Sequence, residues 1–192
     1  MNSFKEIIDA YYQLSPNSFK KLEELTSKKE YKKKSFLTKS KNDSNKFFIL
    51  TEGIVRVLVV DDQGEKRTGN LLTTPSIFTS VESIRENSFL FSIEFECLTD
   101  VTIYEGNYTK FKELSETNHE ISLFHISCLE SAVMEFLHRS SILSAFDATG
   151  RYLYIKNRIP DLENLIQLNH IASYLNITPI QLSRIRKKLY SR

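Results

Sequence analysis

The spacing of hydrophobic and polar positions changes twice along the chain. Residues 3–26 carry apolar side chains at helical spacing, and Ser15-Pro16 divides them into two short helices. From Lys46 to Tyr108 the pattern is that of short strands, with segments such as FFILTEGIVRVLVV that are rich in β-branched and aromatic residues. The sequence DDQGE indicates a tight hairpin turn between two of them. These patterns predict an antiparallel barrel or sandwich that follows two helices.

Helical spacing returns after the strands, and it predicts one long helix at residues 113–143. This run contains no Gly or Pro, and its apolar residues form a wide stripe. Such a helix usually packs against two partners, which we expect to be its own barrel and the same helix of a second subunit. A purely intramolecular helix is the alternative. The residues that we assign to the dimer helix are Ile121, Phe124, Cys128 and Ala132.

The C-terminal residues 168–189 predict two short helices around a tight turn. Asn176 suits the left-handed position that ends a first helix. Thr178 can cap the next helix, Pro179 suits its first position, and Gln181 completes a capping box. Because these signals agree on where the second helix starts, the pattern is typical of a helix-turn-helix.

Charge indicates what this helix pair binds. The net charge of the chain is only +2, but residues 165–192 contain no Asp or Glu and five Lys or Arg residues. A basic end on a near-neutral chain suggests a polyanionic partner, and we predict that this partner is double-stranded DNA. The residues that we assign to DNA contact are Thr178, Gln181, Ser183, Arg184, Lys187 and Lys188.

The residues assigned to DNA contact differ in their expected roles. Arg184 can present its guanidinium fork to guanine, and Gln181 can pair with adenine. Lys187 and Lys188 are better placed for phosphates, which position a protein on DNA without specifying a sequence. A helical hairpin with a solvated basic face is the alternative.

Composition predicts an ordinary globular protein, since 41% of the residues are hydrophobic and 26% are charged. The two cysteines, Cys97 and Cys128, form no CxxC motif, which excludes a disulfide framework and a four-thiolate metal site within the chain. The N-terminus lacks a basic start followed by an apolar run, and no apolar stretch approaches the length of a membrane span. We therefore expect a cytoplasmic protein with reduced thiols and no membrane partner.

Two segments resemble the Crp/Fnr family of bacterial transcription regulators: TEGIVRV at residues 51–57 and GRYLYIKNRIPDLENLIQLNHIASYLNITPIQLSRIRKKL at residues 150–189. The likeness is strongest to the short members typical of Bacteroidetes. The resemblance implies an α+β fold in three parts. These are an antiparallel, jelly-roll-like β-roll with flanking helices at residues 1–112, a long dimerisation helix at 113–143, and a helix-turn-helix domain at 144–192. It also implies a homodimer that binds double-stranded DNA and has RNA polymerase as a further partner.

The resemblance shows where the sensor part differs from the family. Cyclic-nucleotide binders in the family use a Gly-Glu pair for the ribose hydroxyl and an Arg before Ser or Thr for the cyclic phosphate. At the matching positions this chain has Thr79-Ser80 and Leu90-Phe91, and Arg85 is the only cation nearby. A buried phosphate without a paired cation is costly. We therefore predict that the protein does not bind cyclic AMP with useful affinity. The sequence does not identify another effector.

Three other functions are open to the same chain. A different small molecule could fill the roll and gate the regulator. The residues of that candidate pocket are Phe78, Arg85, Phe89, Phe91 and Tyr104. The C-terminal helices could instead bind protein, which a weak dependence on salt would reveal. A cupin-like metal enzyme would need a His-x-His pair on the strands, but no histidine precedes His119. We predict a regulator that is not an enzyme and that needs no metal or cofactor.

Overall fold

The computed structural model describes residues 3–38, 45–79 and 91–190. Its strands are β1 (Thr26–Tyr31), β2 (Lys46–Glu52), β3 (Ile54–Asp61), β4 (Lys66–Thr73), β5 (Ser76–Thr79), β6 (Phe91–Cys97) and β7 (Val101–Asn107). Its helices are α1 (Phe4–Tyr11), α2 (Pro16–Glu24), α3 (Tyr108–Thr117), α4 (His119–Ala145), α5 (Ala148–Arg158), α6 (Leu162–Leu165), α7 (Leu168–Tyr174) and α8 (Pro179–Tyr190). The predicted α+β class, with an antiparallel roll followed by helices, is confirmed.

The two N-terminal helices start where the sequence supplies a cap. The Ser3 hydroxyl accepts a hydrogen bond from the Glu6 N–H at 3.2 Å, and the Glu6 carboxylate accepts the Ser3 N–H at 2.6 Å. Ser15 caps α2, and Pro16 is the first residue of that helix. The predicted break at Ser15-Pro16 is therefore present.

The strands form two antiparallel sheets that pack face to face. One has the order β1-β7-β2-β5 and the other has the order β4-β3-β6. Phe48 and Leu50 of β2 lie between the sheets, where they share a cluster with Phe95 of β6. Phe47 and Ile49 of the same strand point away from the second sheet, into a cluster with the flanking helices. This alternation follows from the two-residue period of a strand.

The first strand lies outside the region in which the sequence pattern predicts strands. β1 has the sequence TSKKEY, and its central residues are exposed. It pairs with β7 alone at the edge of its sheet. Lysines on an edge strand keep its free edge from pairing with another chain, and they also remove the apolar alternation by which a strand is predicted.

The predicted long helix is two helices rather than one. α3 ends at Thr117, and α4 begins at His119 instead of residue 113. Asn118 between them has extended backbone angles (φ −128°, ψ 109°), and its side-chain oxygen accepts the Ile121 N–H at 3.2 Å. The chain therefore bends at Asn118 because that residue caps the second helix.

α4 buries its first turns inside its own chain and exposes its later turns. Ile121 and Phe124 are 0% and 1% exposed and pack with α1 and α3. Both were assigned to the dimer contact, and this burial corrects that assignment because neither side chain has surface left for a second chain. The large exposed apolar residues of the helix are Ile126, Leu129, Val133, Met134, Phe136 and Leu137.

The C-terminal helices pack on the roll through one apolar cluster. Ile54, Leu71 and Leu98 of the roll share it with buried residues of α5 to α8, among them Tyr152 and Leu182. The helices and the roll therefore have a continuous core, and the position of α7 depends on the strands beneath it.

Gly53 gives a test of the turn between β2 and β3. Its φ is +96°, and a Cβ at this position would lie 2.4 Å from the carbonyl oxygen of Asp100. We expect Gly53→Ala to lower the free energy of unfolding by about 2–4 kcal/mol, because backbone strain and overlap add. Gly64→Ala is the control, since Gly64 has φ +79° but nothing within 4 Å of an added Cβ. Urea unfolding measures both, and equal losses would contradict a role for the Asp100 contact.

Candidate functional sites

The turn between α7 and α8 is held by backbone hydrogen bonds of the Schellman type. Asn176 has φ +55°. The Ile177 N–H donates to the Ala172 carbonyl at 3.0 Å, and the Asn176 N–H donates to the Ser173 carbonyl at 3.1 Å. The predicted left-handed residue at Asn176 is confirmed, and the angle between the two helices is set by this turn.

The predicted capping box at the start of α8 is also confirmed. The Thr178 N–H donates to Gln181 Oε1 at 2.9 Å, and the Gln181 N–H donates to Thr178 Oγ1 at 3.1 Å. Pro179 is the first residue of the helix. Both side-chain oxygens thus accept a bond in the cap, whereas the amide group of Gln181 and the hydroxyl hydrogen of Thr178 remain as donors.

α8 has one buried face and one exposed polar face. Leu182 is buried in the cluster beneath the helix, with Ile185 and Leu189 packed against it. The side chains that the structure leaves exposed on this helix include Gln181, Ser183, Arg184, Lys187 and Lys188. All of these were assigned to DNA contact, as was Thr178, which is exposed just before the helix.

Arg186 is turned away from the exposed basic residues. Its Nε lies 2.9 Å from Glu163 Oε1. The same carboxylate accepts the Tyr152 hydroxyl at 2.6 Å, and the Tyr152 hydroxyl lies 3.1 Å from that of Tyr190. This network fixes the rotation of α8 about its axis and so determines which cations of the helix face outward.

Two polar contacts tie α7 to the roll. The Thr68 N–H of β4 donates to the Ser173 hydroxyl at 3.0 Å. Arg56 of β3 donates from Nη1 to His170 Nδ1 at 2.7 Å, and its Nε donates to Glu96 at 3.0 Å. Because an arginine can only donate, His170 Nδ1 is the acceptor and carries no proton. Burial, followed by the charge of Arg56, lowers the pKa of His170.

Arg139 ties α7 to α4. Its Nη2 donates to the carbonyl oxygen of Tyr174, and its guanidinium carbon lies 3.9 Å from the centre of the Tyr174 ring. Burial lowers the pKa of Arg139. Arg139 is not among the residues predicted above, although an arginine within the apolar stripe of a helix is a usable signal of a specific partner.

A cavity of about 590 Å³ lies between α4 and the segment that joins β4 to β5. Its apolar walls include Phe47, Phe78, Phe111, Phe124, Leu129 and Phe136. Three buried polar atoms of lining residues have no hydrogen-bond partner among the described residues: Thr74 Oγ1, His125 Nε2 and Arg139 Nε. A large apolar cavity with a few unsatisfied polar groups has the character of a ligand site.

The structure does not assemble the pocket that was predicted inside the roll. Phe78 packs between the sheets, with its ring centre 5.2 Å from that of Phe48. Tyr104 lies on the opposite face of the same sheet, against Phe4. Phe91 is 41% exposed at the start of β6. These three aromatic side chains therefore cannot line one pocket, and of the three only Phe78 borders the cavity beside α4. The other two residues of that prediction, Arg85 and Phe89, lie outside the described residues.

Residues 28–118 match the family model described as the cyclic nucleotide-binding domain. The whole structure is similar to FixK2 from Bradyrhizobium japonicum (13% identity, TM-score 0.68, covering 86% of this chain and 85% of that chain). It is also similar to the regulator CLP of Xanthomonas campestris (11% identity, TM-score 0.70, covering 92% of this chain and 92% of that chain). A third similar structure is that of a protein from Eubacterium rectale described as a transcriptional regulator of the Crp/Fnr family (13% identity, TM-score 0.71, covering 94% of this chain and 87% of that chain). This chain has the Crp/Fnr fold. The sequence has no match among curated proteins.

Across residues 3–38, 45–79 and 91–190, no group of three or more His, Cys, Asp and Glu side chains could hold a metal ion. In the same ranges no helix, α4 included, has the length and apolar content that crossing a bilayer requires.

Burial raises the pKa of both Cys97 and Cys128 to about 12, so that the two thiols are uncharged at neutral pH.

The contact between α7 and the roll should depend on pH. The folded state favours neutral His170, whose charged neighbours are Arg56, Glu96 and Lys33. Its contribution to stability is therefore complete above the unfolded pKa of about 6.5 and is lost as the pH falls below that value. We expect the urea midpoint to fall less between about pH 7.5 and pH 5.5 in His170→Asn than in the wild type. Identical pH dependence in the two proteins would contradict this role of His170.

Proposed function

We propose that this protein is a DNA-binding transcription regulator of the Crp/Fnr type. In this proposal α7 and α8 form a helix-turn-helix and α8 enters the major groove. The observation that supports it best is the exposed face of α8, where Ser183, Arg184 and Lys188 lie together on a helix whose start is fixed by the capping box. The Glu163 contact of Arg186 separates that residue from this surface.

The roles proposed for individual side chains follow from their chemistry. Arg184 reads a guanine through two parallel hydrogen bonds. Lys187 and Lys188 neutralise phosphates, and Ser183 adds an uncharged donor beside them. Gln181 and Thr178 can contribute to base contact as donors, because only their side-chain oxygens are used in the cap bonds.

The three parts of the chain have separate tasks in this proposal. The roll at residues 1–112 senses, α4 pairs two subunits, and residues 144–192 bind DNA. The match of residues 28–118 to a cyclic nucleotide-binding domain and the fold shared with transcription regulators support this division and a role that is not enzymatic. Since the proposed partner is genomic DNA, we infer a cytoplasmic location, with RNA polymerase as a further partner.

We also propose a homodimer built on α4. Leu129, Val133, Phe136 and Leu137 follow helical spacing on a helix whose other side is already packed, and Phe136 is 71% exposed. A second copy of the chain suits this face, because a two-fold pair of α4 helices would bury the same stripe on both. It would also present two copies of α8 to two half-sites of DNA.

An effector in the cavity beside α4 is a second proposal, and the volume of about 590 Å³ favours it. That volume is within the range of small-molecule sites in proteins. Leu129, Ala132 and Phe136 line the cavity and belong to the exposed part of α4, so that the second subunit would cover one side of the ligand. We propose that cyclic AMP is not this effector, because Thr79 stands where cyclic-nucleotide binders have glycine.

The DNA contacts can be separated by mutation. A DNA site is first selected from a random pool with the wild-type protein. Arg184→Ala should then reduce discrimination at one base pair by about 1–3 kcal/mol. Lys187→Ala should weaken specific and random DNA alike and reduce the slope of log affinity against log salt by about 1. Lys110→Ala, on the exposed surface of α3, is the control and should change neither. The same loss on both DNAs from both α8 variants would contradict the assigned roles.

The dimer can be tested by its mass. Val133→Glu places a charge on a residue that is 56% exposed in the single chain, and it should convert the dimer to a monomer by light scattering. Ile180→Glu introduces the same change at an exposed residue of α8 and should leave the mass unchanged. A wild-type protein that is monomeric at all concentrations would contradict the proposed homodimer.

A further inference from the structure

Arg139 lies at the junction between the cavity and α7. It lines the cavity beside α4 and also a groove formed by β4, α4 and the turn between α7 and α8. Its bond to the Tyr174 carbonyl uses one of the five N–H donors of the guanidinium. Its Nε is buried without a hydrogen-bond partner among the described residues. The guanidinium is thus only partly satisfied where it borders empty space.

The other ionisable groups that line the cavity are mostly uncharged. Burial raises the pKa of Tyr11 and of Tyr108, and it raises that of Cys128 to about 12. Burial, followed by the charge of Lys112, lowers the pKa of His125. At neutral pH all four of these lining groups therefore favour their neutral forms.

The remaining charges in the cavity wall leave one positive charge unmatched. Arg158 donates from Nη1 and Nη2 to the two carboxylate oxygens of Glu135, each at 3.0 Å. These two charges balance, and Arg139, on which the charge of Glu135 also acts from a distance, forms no ion pair among the described residues. A desolvated cation of this kind favours a single negative charge on whatever fills the space.

We propose that the cavity binds a monoanion with an apolar body, such as an aromatic or aliphatic carboxylate, and that this ligand draws Arg139 away from the Tyr174 carbonyl. The proposal rests on the proposed function as a regulator and adds its ligand class and its coupling residue. The apolar walls hold the body of the ligand, and the guanidinium binds its anionic group through paired hydrogen bonds.

The consequence for the DNA-binding helices follows from how α7 is held. When Arg139 turns to the ligand, the last turn of α7 loses its bond to α4, while Ser173 and His170 keep their contacts with the roll. α7 then keeps its contacts with the roll and the other C-terminal helices but loses this bond to α4. The turn at Asn176 and the start of α8 move with α7, because backbone bonds join them to its last residues. The ligand thereby shifts the position of α8 without unfolding it.

The ligand class is tested with two dyes that share one ring system. Anilinonaphthalene sulfonate is an apolar monoanion, and phenylnaphthylamine is its uncharged counterpart. We expect the full-length wild-type protein to bind the sulfonate at least about tenfold more tightly. Arg139→Met should remove this preference while binding of the neutral dye persists. Lys110→Met removes one exposed positive charge elsewhere and should retain the preference.

The coupling is tested by amide hydrogen exchange in residues 168–177. Exchange there should rise when the sulfonate saturates the wild-type protein and should stay unchanged with the neutral dye. Arg139→Met should show the faster exchange without any dye. Equal affinity of the wild type for the two dyes would overturn the ligand class. Unchanged exchange at saturation with the sulfonate would overturn the coupling through Arg139.

Neither measurement contains DNA, and the wild-type comparisons need no variant to fold. If the protein bound no DNA in a separate titration, the proposed function would be wrong. The dye and exchange results would still test the ligand class and the coupling through Arg139.

Discussion

The seating of α7 on the roll is the contact on which the rest of the molecule depends. Ile171 and Ala172 bury their side chains in the same cluster as Ile54 and Leu71 of the strands. Burial of this kind is strong but not directional, and the directional part comes from the hydrogen bond between Thr68 and the Ser173 hydroxyl beside it. A helix held in this way can shift by small amounts without losing its core, and every position on α8 follows it.

α4 connects the three regions because each of its sides has a different neighbour. Its first turns are packed against the N-terminal helices, its middle borders the cavity, and Arg139 reaches α7. Glu135 adds a paired contact to Arg158 of α5. The charged side chains Glu135 and Arg139 of α4 therefore connect this helix directly to α5 and α7. A change of charge near them can reach the C-terminal helices without passing through the roll as a whole.

The sequence predicts the local features well and the tertiary ones poorly. The capping box of Thr178 and Gln181 depends only on residues three apart, so that it could be predicted from the chain alone. The break at Asn118 could not, because an asparagine in a run without Gly or Pro is also compatible with a continuous helix. Phe78 and Tyr104 were grouped as one pocket because aromatic content does not reveal which face of a sheet a residue occupies. The strand register determines that face, since Phe78 pairs with Phe48 whereas Tyr104 pairs with Ile49, the next residue of β2.

The exposed apolar stripe of α4 has a consequence for the amount of protein in the cell. In the proposed dimer a second copy covers this surface, so that the folded fraction and the affinity for paired DNA half-sites would both rise with concentration. Dilution would separate the subunits, and two tethered contacts with DNA would become single, much weaker ones. The number of copies that a cell makes would then set a threshold for occupancy of the DNA, before any small molecule acts.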